Sequence, residues 1–195
     1  MELDISKYLT IHKGFGVERT EDMRNNCVEE MLLHGAIFSK RVLDSGKYEE
    51  VEHFIFGYAG VKKNNLWAFV NKNEQEICDF IYQLVGYFTP DELVAVKRNN
   101  LWGFMDKYGR EISEIKYVGV GDFHNGYAVV KEGKKYGYIN RYGKEITKIE
   151  FDFANSFQHG KGLVIMNGKR GVVNSRGDIQ VELFGVGRNF SLQTK

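Results

Sequence analysis

Short apolar runs recur along the chain, each followed by a polar pair and then by a second apolar run. The first runs are Tyr58-Ala59-Gly60-Val61, Val94-Ala95-Val96, Ala128-Val129-Val130 and Leu163-Val164-Ile165. Their small and β-branched side chains predict short strands. The pairs that follow are Asn64-Asn65, Asn99-Asn100, Gly133-Lys134 and Asn167-Gly168. Asn and Gly tolerate the positive φ of a type I′ turn, so each pair predicts a tight hairpin, with Gly133-Lys134 the least ideal. The second runs are Leu66-Trp67-Ala68-Phe69-Val70, Leu101-Trp102-Gly103-Phe104-Met105, Lys135-Tyr136-Gly137-Tyr138-Ile139 and Lys169-Arg170-Gly171-Val172-Val173. Alternation along a strand places Trp102 and Phe104 on one face and Gly103 on the other, where a missing side chain lets a neighbour come close.

The period shows most clearly in the aromatic residues. Tyr48, Tyr82, Tyr117, Phe151 and Phe184 form one ladder; Phe54, Phe88, Phe123, Phe157 and Phe190 form another, and both step by 34, 35, 34 and 33 residues. Two series that share the same irregular step belong to an array of one small unit. Each second run ends in an Asx-containing segment such as Asp106-Lys107-Tyr108-Gly109, Asn140-Arg141-Tyr142-Gly143 or Asn174-Ser175-Arg176-Gly177. The Asx side chain can bond the backbone two residues on, and the glycine suits the turn exit. The first copy reads Asn71-Lys72-Asn73-Glu74 and lacks that glycine. A third short strand is predicted at Glu76-Ile77, Glu111-Ile112, Glu145-Ile146 and Asp178-Ile179, with the ladders in the links between units.

The first 47 residues do not repeat. Thr20, Glu21 and Asp22 read as a helix start. Met23, Cys27, Val28, Met31 and Leu32 then form one apolar side, and Gly35 stands where a C′ glycine belongs, predicting a helix over about 20–34. Ala36-Ile37-Phe38 and Arg41-Val42-Leu43 predict an atypical initial strand pair. The fold class is therefore mainly β: an open array of about four three-stranded antiparallel units over residues 48–195, with a helical cap over residues 1–47. A unit of about 34 residues is short for a four-stranded propeller blade, which leaves a small closed propeller-like ring as the alternative. An open array needs caps at its ends, a role that fits the N-terminal segment.

The stretch Trp102-Gly103-Phe104-Met105-Asp106-Lys107-Tyr108-Gly109-Arg110-Glu111-Ile112, preceded by Val94-Ala95-Val96-Lys97 and followed by Tyr117 and Phe123, resembles the WG repeat found in many bacterial proteins. The resemblance spans residues 48 to 190. Other copies read Trp67-Ala68, Tyr136-Gly137 and Arg170-Gly171, so the motif drifts toward the C-terminus. The resemblance implies stacked short strands and no shared catalytic residues.

Charge narrows the partners only a little. The chain has 27 Lys and Arg against 26 Asp and Glu, a formal net charge of +1, which argues against a dedicated binder of duplex nucleic acid or anionic membrane. The N-terminus shows no export signal and no run of 18 apolar residues occurs, so a cytoplasmic location without a membrane partner is expected. Cys27 and Cys78 lack ligand spacing and read as free buried thiols. His12, His34, His53, His124 and His159 show no metal-ligand spacing. Glu76, Glu111, Glu145 and Asp178 recur at one register and therefore read as a solvated strand edge rather than paired catalytic carboxylates. Gly119-Val120-Gly121 and Gly185-Val186-Gly187 lack the helix and Lys-Ser/Thr pair of a phosphate loop.

No catalytic residue, cofactor or metal site is therefore expected, and no small-molecule substrate. The leading reading is a non-enzymatic scaffold that docks another protein, in the manner of an inhibitor, an immunity protein or a phage or host accessory factor. A second reading is nucleic-acid binding along a repeated basic strip, with Lys62, Lys63, Lys97, Arg98, Lys134 and Lys135 as contacts. A third is carbohydrate binding through the turn tyrosines Tyr108 and Tyr142, which also serve as candidate protein anchors.

Overall fold

A computed structural model describes residues 21–181. Phe184 and Phe190, together with Thr20 and His12, lie outside them. Four antiparallel sheets follow one another in chain order. The first holds β1 (Glu50–Val51), β2 (Tyr58–Lys63) and β3 (Leu66–Asn71); the second holds β4 (Leu84–Val85), β5 (Leu93–Arg98) and β6 (Leu101–Asp106). The third holds β7 (Gly119–Val120), β8 (Tyr127–Glu132) and β9 (Lys135–Asn140). The fourth holds β10 (Phe153–Ala154), β11 (Lys161–Met166), β12 (Lys169–Asn174) and β13 (Ile179–Val181). No strand pairing among the described residues joins the first sheet to the last, so the sheets form no closed barrel. The core clusters join each sheet only to its neighbour in the row, and the outer face of the first packs on a helix, so the row is open.

The hairpins form at the predicted pairs. Asn64 and Asn65 have φ of 53° and 61°, and Asn99 and Asn100 have 52° and 64°, as a type I′ turn requires. Only Gly133 is positive in the third hairpin, the pattern of a type II′ turn, which explains why Lys134 is tolerated there. In the first, second and fourth units the residue after the ladder aromatic supports the turn. Glu49 accepts hydrogen bonds from the amides of Asn64 and Asn65, and Gln83 accepts one from Asn100. Asp152 does the same for Asn167.

The third strand of each unit differs from the sequence reading. The two-residue strands β1, β4, β7 and β10 precede their hairpins and pair with the first hairpin strand. Glu76, Glu111 and Glu145 make single bridges to Val70, Met105 and Ile139, and only the fourth copy extends this edge into a strand, β13. Tyr82, Tyr117 and Phe151 close the same edge by bridging Trp67, Trp102 and Tyr136. The chain crosses to the next sheet two residues later, too soon for a continuous strand to form.

The sheets stack face to face. One face of the first sheet, with Trp67 and Phe69, packs through Tyr82 and Phe88 onto Val94, Val96 and Met105 of the second. The second meets the third in the same way through Tyr117 and Phe123, and the third meets the fourth through Phe151 and Phe157. Phe88, Phe123 and Phe157 each meet an aromatic of the preceding sheet edge-on, Phe69, Phe104 and Tyr138, at 4.7–5.1 Å between centroids. That geometry aligns ring edges with ring faces. Tyr82, Tyr117, Phe151, Phe88, Phe123 and Phe157 are therefore buried between sheets and hold the array together.

The remaining face of the first sheet is covered by a helix. Helix α1 spans Glu21–Asp44, ten residues beyond the predicted end, and replaces the strand pair expected at 36–43. Gly35 is not a terminator: a Cβ there would lie 2.6 Å from the Phe54 carbonyl oxygen, so its bareness lets the helix lie against the array. The helix ends instead at Gly46, whose amide bonds the Leu43 carbonyl at φ 71°. Val42 and Phe38 pack against Tyr48, Val61 and Val70, while Ser39 receives the Phe54 amide and donates to the Glu52 carbonyl.

Candidate functional site

The turn that ends each hairpin is fixed in the same way four times. The side-chain oxygens of Asn71, Asp106, Asn140 and Asn174 each accept two backbone amides, two and four residues on. In the last three units the turn glycine abuts the preceding unit. A Cβ on Gly109, Gly143 or Gly177 would lie within 2 Å of the carbonyl oxygen of Ile77, Ile112 or Ile146. The first unit has no predecessor, which is why Glu74 can stand there; its carboxylate meets Arg41 of α1 at 2.6 Å.

These turns lift Tyr108 and Tyr142 clear of the body, at 67% and 80% exposure. Tyr108 lies beneath Lys107 and Arg110, whose cations sit 5.3 and 5.2 Å from its ring centre and are themselves paired with Glu92 and Asp106. Burial pushes the Asp106 carboxyl upward, but Arg110 and the turn amides outweigh it and hold the group below its ordinary value. Tyr142 makes no ring or cation contact among the described residues, and its neighbours Arg141 and Lys144 make no ion pair there. The two tyrosines occupy equivalent positions on adjacent units, so both belong to one ridge.

The basic strip is less available than its spacing implies. Lys62 pairs with Glu50 at 2.5 Å and lies over Trp67. Lys97 lies over Trp102, directly opposite it across the hairpin, and Lys131 takes the same place over Tyr136. Arg98 makes a two-pronged contact with Glu111, and Lys135 pairs with Asp152. Of the six sequence candidates, Lys63 and Lys134 alone make neither an ion pair nor a cation–ring contact among the described residues.

A second recurrent group was not legible as a unit. Tyr48, Tyr82 and Tyr117 donate their phenolic hydrogens to Glu76, Glu111 and Glu145 at 3.0, 3.0 and 3.4 Å. A cation completes each group: Lys47 on Glu76, Arg98 on Glu111 and Lys116 on Glu145. These carboxylates are thus acceptors for buried rings rather than a bare solvated edge. The Lys47 ammonium holds the Glu76 carboxyl below its ordinary value, whereas burial pushes the Tyr117 phenol up to about 12. The signal was present in the sequence as a joint loss, since the fourth copy has Phe151, without a hydroxyl, and Asp178 in place of glutamate.

Groups suited to other chemistry are dispersed. An open groove of about 690 Å³ between the second and third units contains Glu111, Glu114, Lys116 and Glu145, but Arg98, Lys116 and Tyr117 already engage two of its carboxylates. Cys78 is largely enclosed, and burial pushes its thiol up to about 11. Among the described residues no group of three His, Cys, Asp or Glu side chains could hold a metal ion, and no helix is long and apolar enough to cross a membrane.

The fold defines a tandem β-repeat protein built from one stacked unit. Sequence comparison gives the family: the WG containing repeat matches residues 45–67, 67–102, 102–136 and 136–169. The chain belongs to the WG-repeat family. No curated protein matches the sequence. Among solved structures, the chain is similar to Kluyveromyces lactis Hsv2 with its complete loop 6CD, at 15% identity and a TM-score of 0.40, covering 63% of this chain and 46% of that one. It is also similar to a selenomethionine-substituted virginiamycin B lyase from Staphylococcus aureus, at 19% identity and a TM-score of 0.35, covering 66% and 52%. The chain spans about half the length of these structures.

Proposed function

We propose that the protein is a non-enzymatic scaffold that docks another protein along the ridge carrying Tyr108 and Tyr142. The observation that carries this reading is the exposure of two rings at equivalent, rigidly hydrogen-bonded turns while the ladder aromatics between the sheets are buried. An exposed ring on a fixed backbone loses little conformational freedom on binding and contributes a large amphipathic contact. An inhibitor, an immunity protein or an accessory factor would all use such a ridge. The glutamates repeated through the array are engaged by the ladder tyrosines, which favours a docking role over acid–base catalysis.

The test is affinity cross-linking of the wild-type chain beside a Tyr108→Ala/Tyr142→Ala variant. A stoichiometric protein recovered with the first and lost with the second supports the reading; a partner kept by both would move the contact off the ridge. The nucleic-acid reading retains Lys63 and Lys134 as unengaged cations. It requires binding that weakens steeply with salt and disappears on charge reversal at Lys134.

A further inference from the structure

The near-zero net charge conceals a strong polarity along the array. Residues 21–132 contain 13 Lys and Arg against 18 Asp and Glu, whereas residues 133–181 contain nine against four. The surplus is not locally neutralised: Lys134, Arg141, Lys144, Lys148, Lys161 and Arg170 make no ion pair among the described residues. The segment before the third hairpin turn is therefore net acidic by five, and the shorter segment from that turn onward is net basic by five.

The two ends of the row also present apolar side chains. In the fourth sheet Phe153, Ile165 and Arg170 lie side by side, as do Leu163 and Val172, and the alternation of strands places all five on one face. This is the face that receives the next unit in the three sheets before it. Ala95 and Val129, which occupy the Leu163 position there, are 8% and 9% exposed, whereas Leu163 is 58% exposed. At the other end Leu33 and Ile37 lie four residues apart on α1, away from Val42 and Ser39, and both are exposed. Lys40 and Asp44 share that outer side and neutralise one another.

We infer that the chain associates head to tail with a second copy of itself, the fourth-sheet face of one copy seating against the outer side of α1 in the next. The apolar groups supply the contact, and the opposed net charges of the N-terminal and C-terminal segments supply the attraction and its polarity. The contact is heterologous, so it produces a closed ring of copies or a growing chain according to the rotation between them.

Sedimentation of the full chain at about 50 mM and about 500 mM salt tests this, because screening at the higher salt removes most of the attraction between exposed charges. Dimers or larger species are expected at low salt, with association at least about tenfold weaker at high salt. Leu163→Glu and Ile37→Glu should each abolish growth. An equimolar mixture of the two variants should recover one intact contact and form a dimer, which a face that pairs with itself could not do. Both positions are exposed, and unchanged unfolding midpoints would show that the variants fold. A monomer at every concentration in low salt, or a mixture that stays monomeric, overturns the inference. Thiol labelling of Leu163→Cys then identifies the occupant: slow labelling of a monomer means that the chain's own residues 182–195 cover the face, and fast labelling leaves it to a different protein.

Discussion

Glu111 shows how one side chain serves two parts of the repeat, accepting the Tyr82 phenol and both prongs of Arg98. Removing it strands a buried hydroxyl and a cation, so Glu111→Ala should cost about 1–3 kcal/mol, while Glu111→Gln retains an acceptor and should lose less. Urea unfolding of both variants checks the difference. Glu76 makes the same contact beside Lys47, with its folded-state value depressed. A depressed carboxylate contributes stability that is fully present above its unfolded value, near 4.5, and disappears as pH falls through the lower folded value. The wild-type chain should therefore lose stability on acidification below about pH 4.5, and Glu76→Gln should flatten that part of the profile. The tyrosines were visible as a ladder, and the glutamates as a series at one register. Their partnership was missed because it runs through space across about 28 residues, and repetition alone does not reveal whether a polar series faces water or a neighbour's hydroxyl.

The elements repeat because their turns repeat, and the glycines divide by what lies beside them. Gly143 has φ 75° and no room beside the Ile112 carbonyl, while Gly133 has φ 53° and open space. Gly143→Ala must push two units apart and should cost well over the roughly 1 kcal/mol expected for Gly133→Ala, which bears only the backbone term. Thermal unfolding of the pair measures the gap. Glu74→Gly should restore the missing turn glycine and relieve a positive φ, at the loss of the Arg41 contact, leaving stability within about 1 kcal/mol of wild type. Hairpins and Asx turns were legible because each is written within a few residues. The extent of α1 was not, since Gly35 reads as a terminator until the carbonyl of Phe54 is seen against it. The third strand was misplaced for a related reason: its pairing depends on where the chain leaves one sheet for the next, which local pattern does not encode.

On the scale of the molecule, stability resides in junctions between units and in the helix that covers the first of them, so damage to one junction should spread mainly to its neighbours. The period was readable from two aromatic series, the number of units from the four copies of the hairpin pattern, and the need for a cap from the way stacked units bury their faces only against neighbours. The strip of cations was readable too, but not that Trp67, Trp102 and Glu111 occupy much of it. Function is assigned to the residues the junctions leave uncommitted, and structure to the ladders. The direct test compares Tyr142→Ala with Tyr117→Phe in one experiment that records both the unfolding midpoint and recovery of the cross-linked partner. The account predicts that Tyr142→Ala keeps the wild-type midpoint and loses the partner, whereas Tyr117→Phe lowers the midpoint and keeps the partner. A ridge variant that binds normally but melts early, beside a ladder variant that is stable but no longer binds, would contradict it.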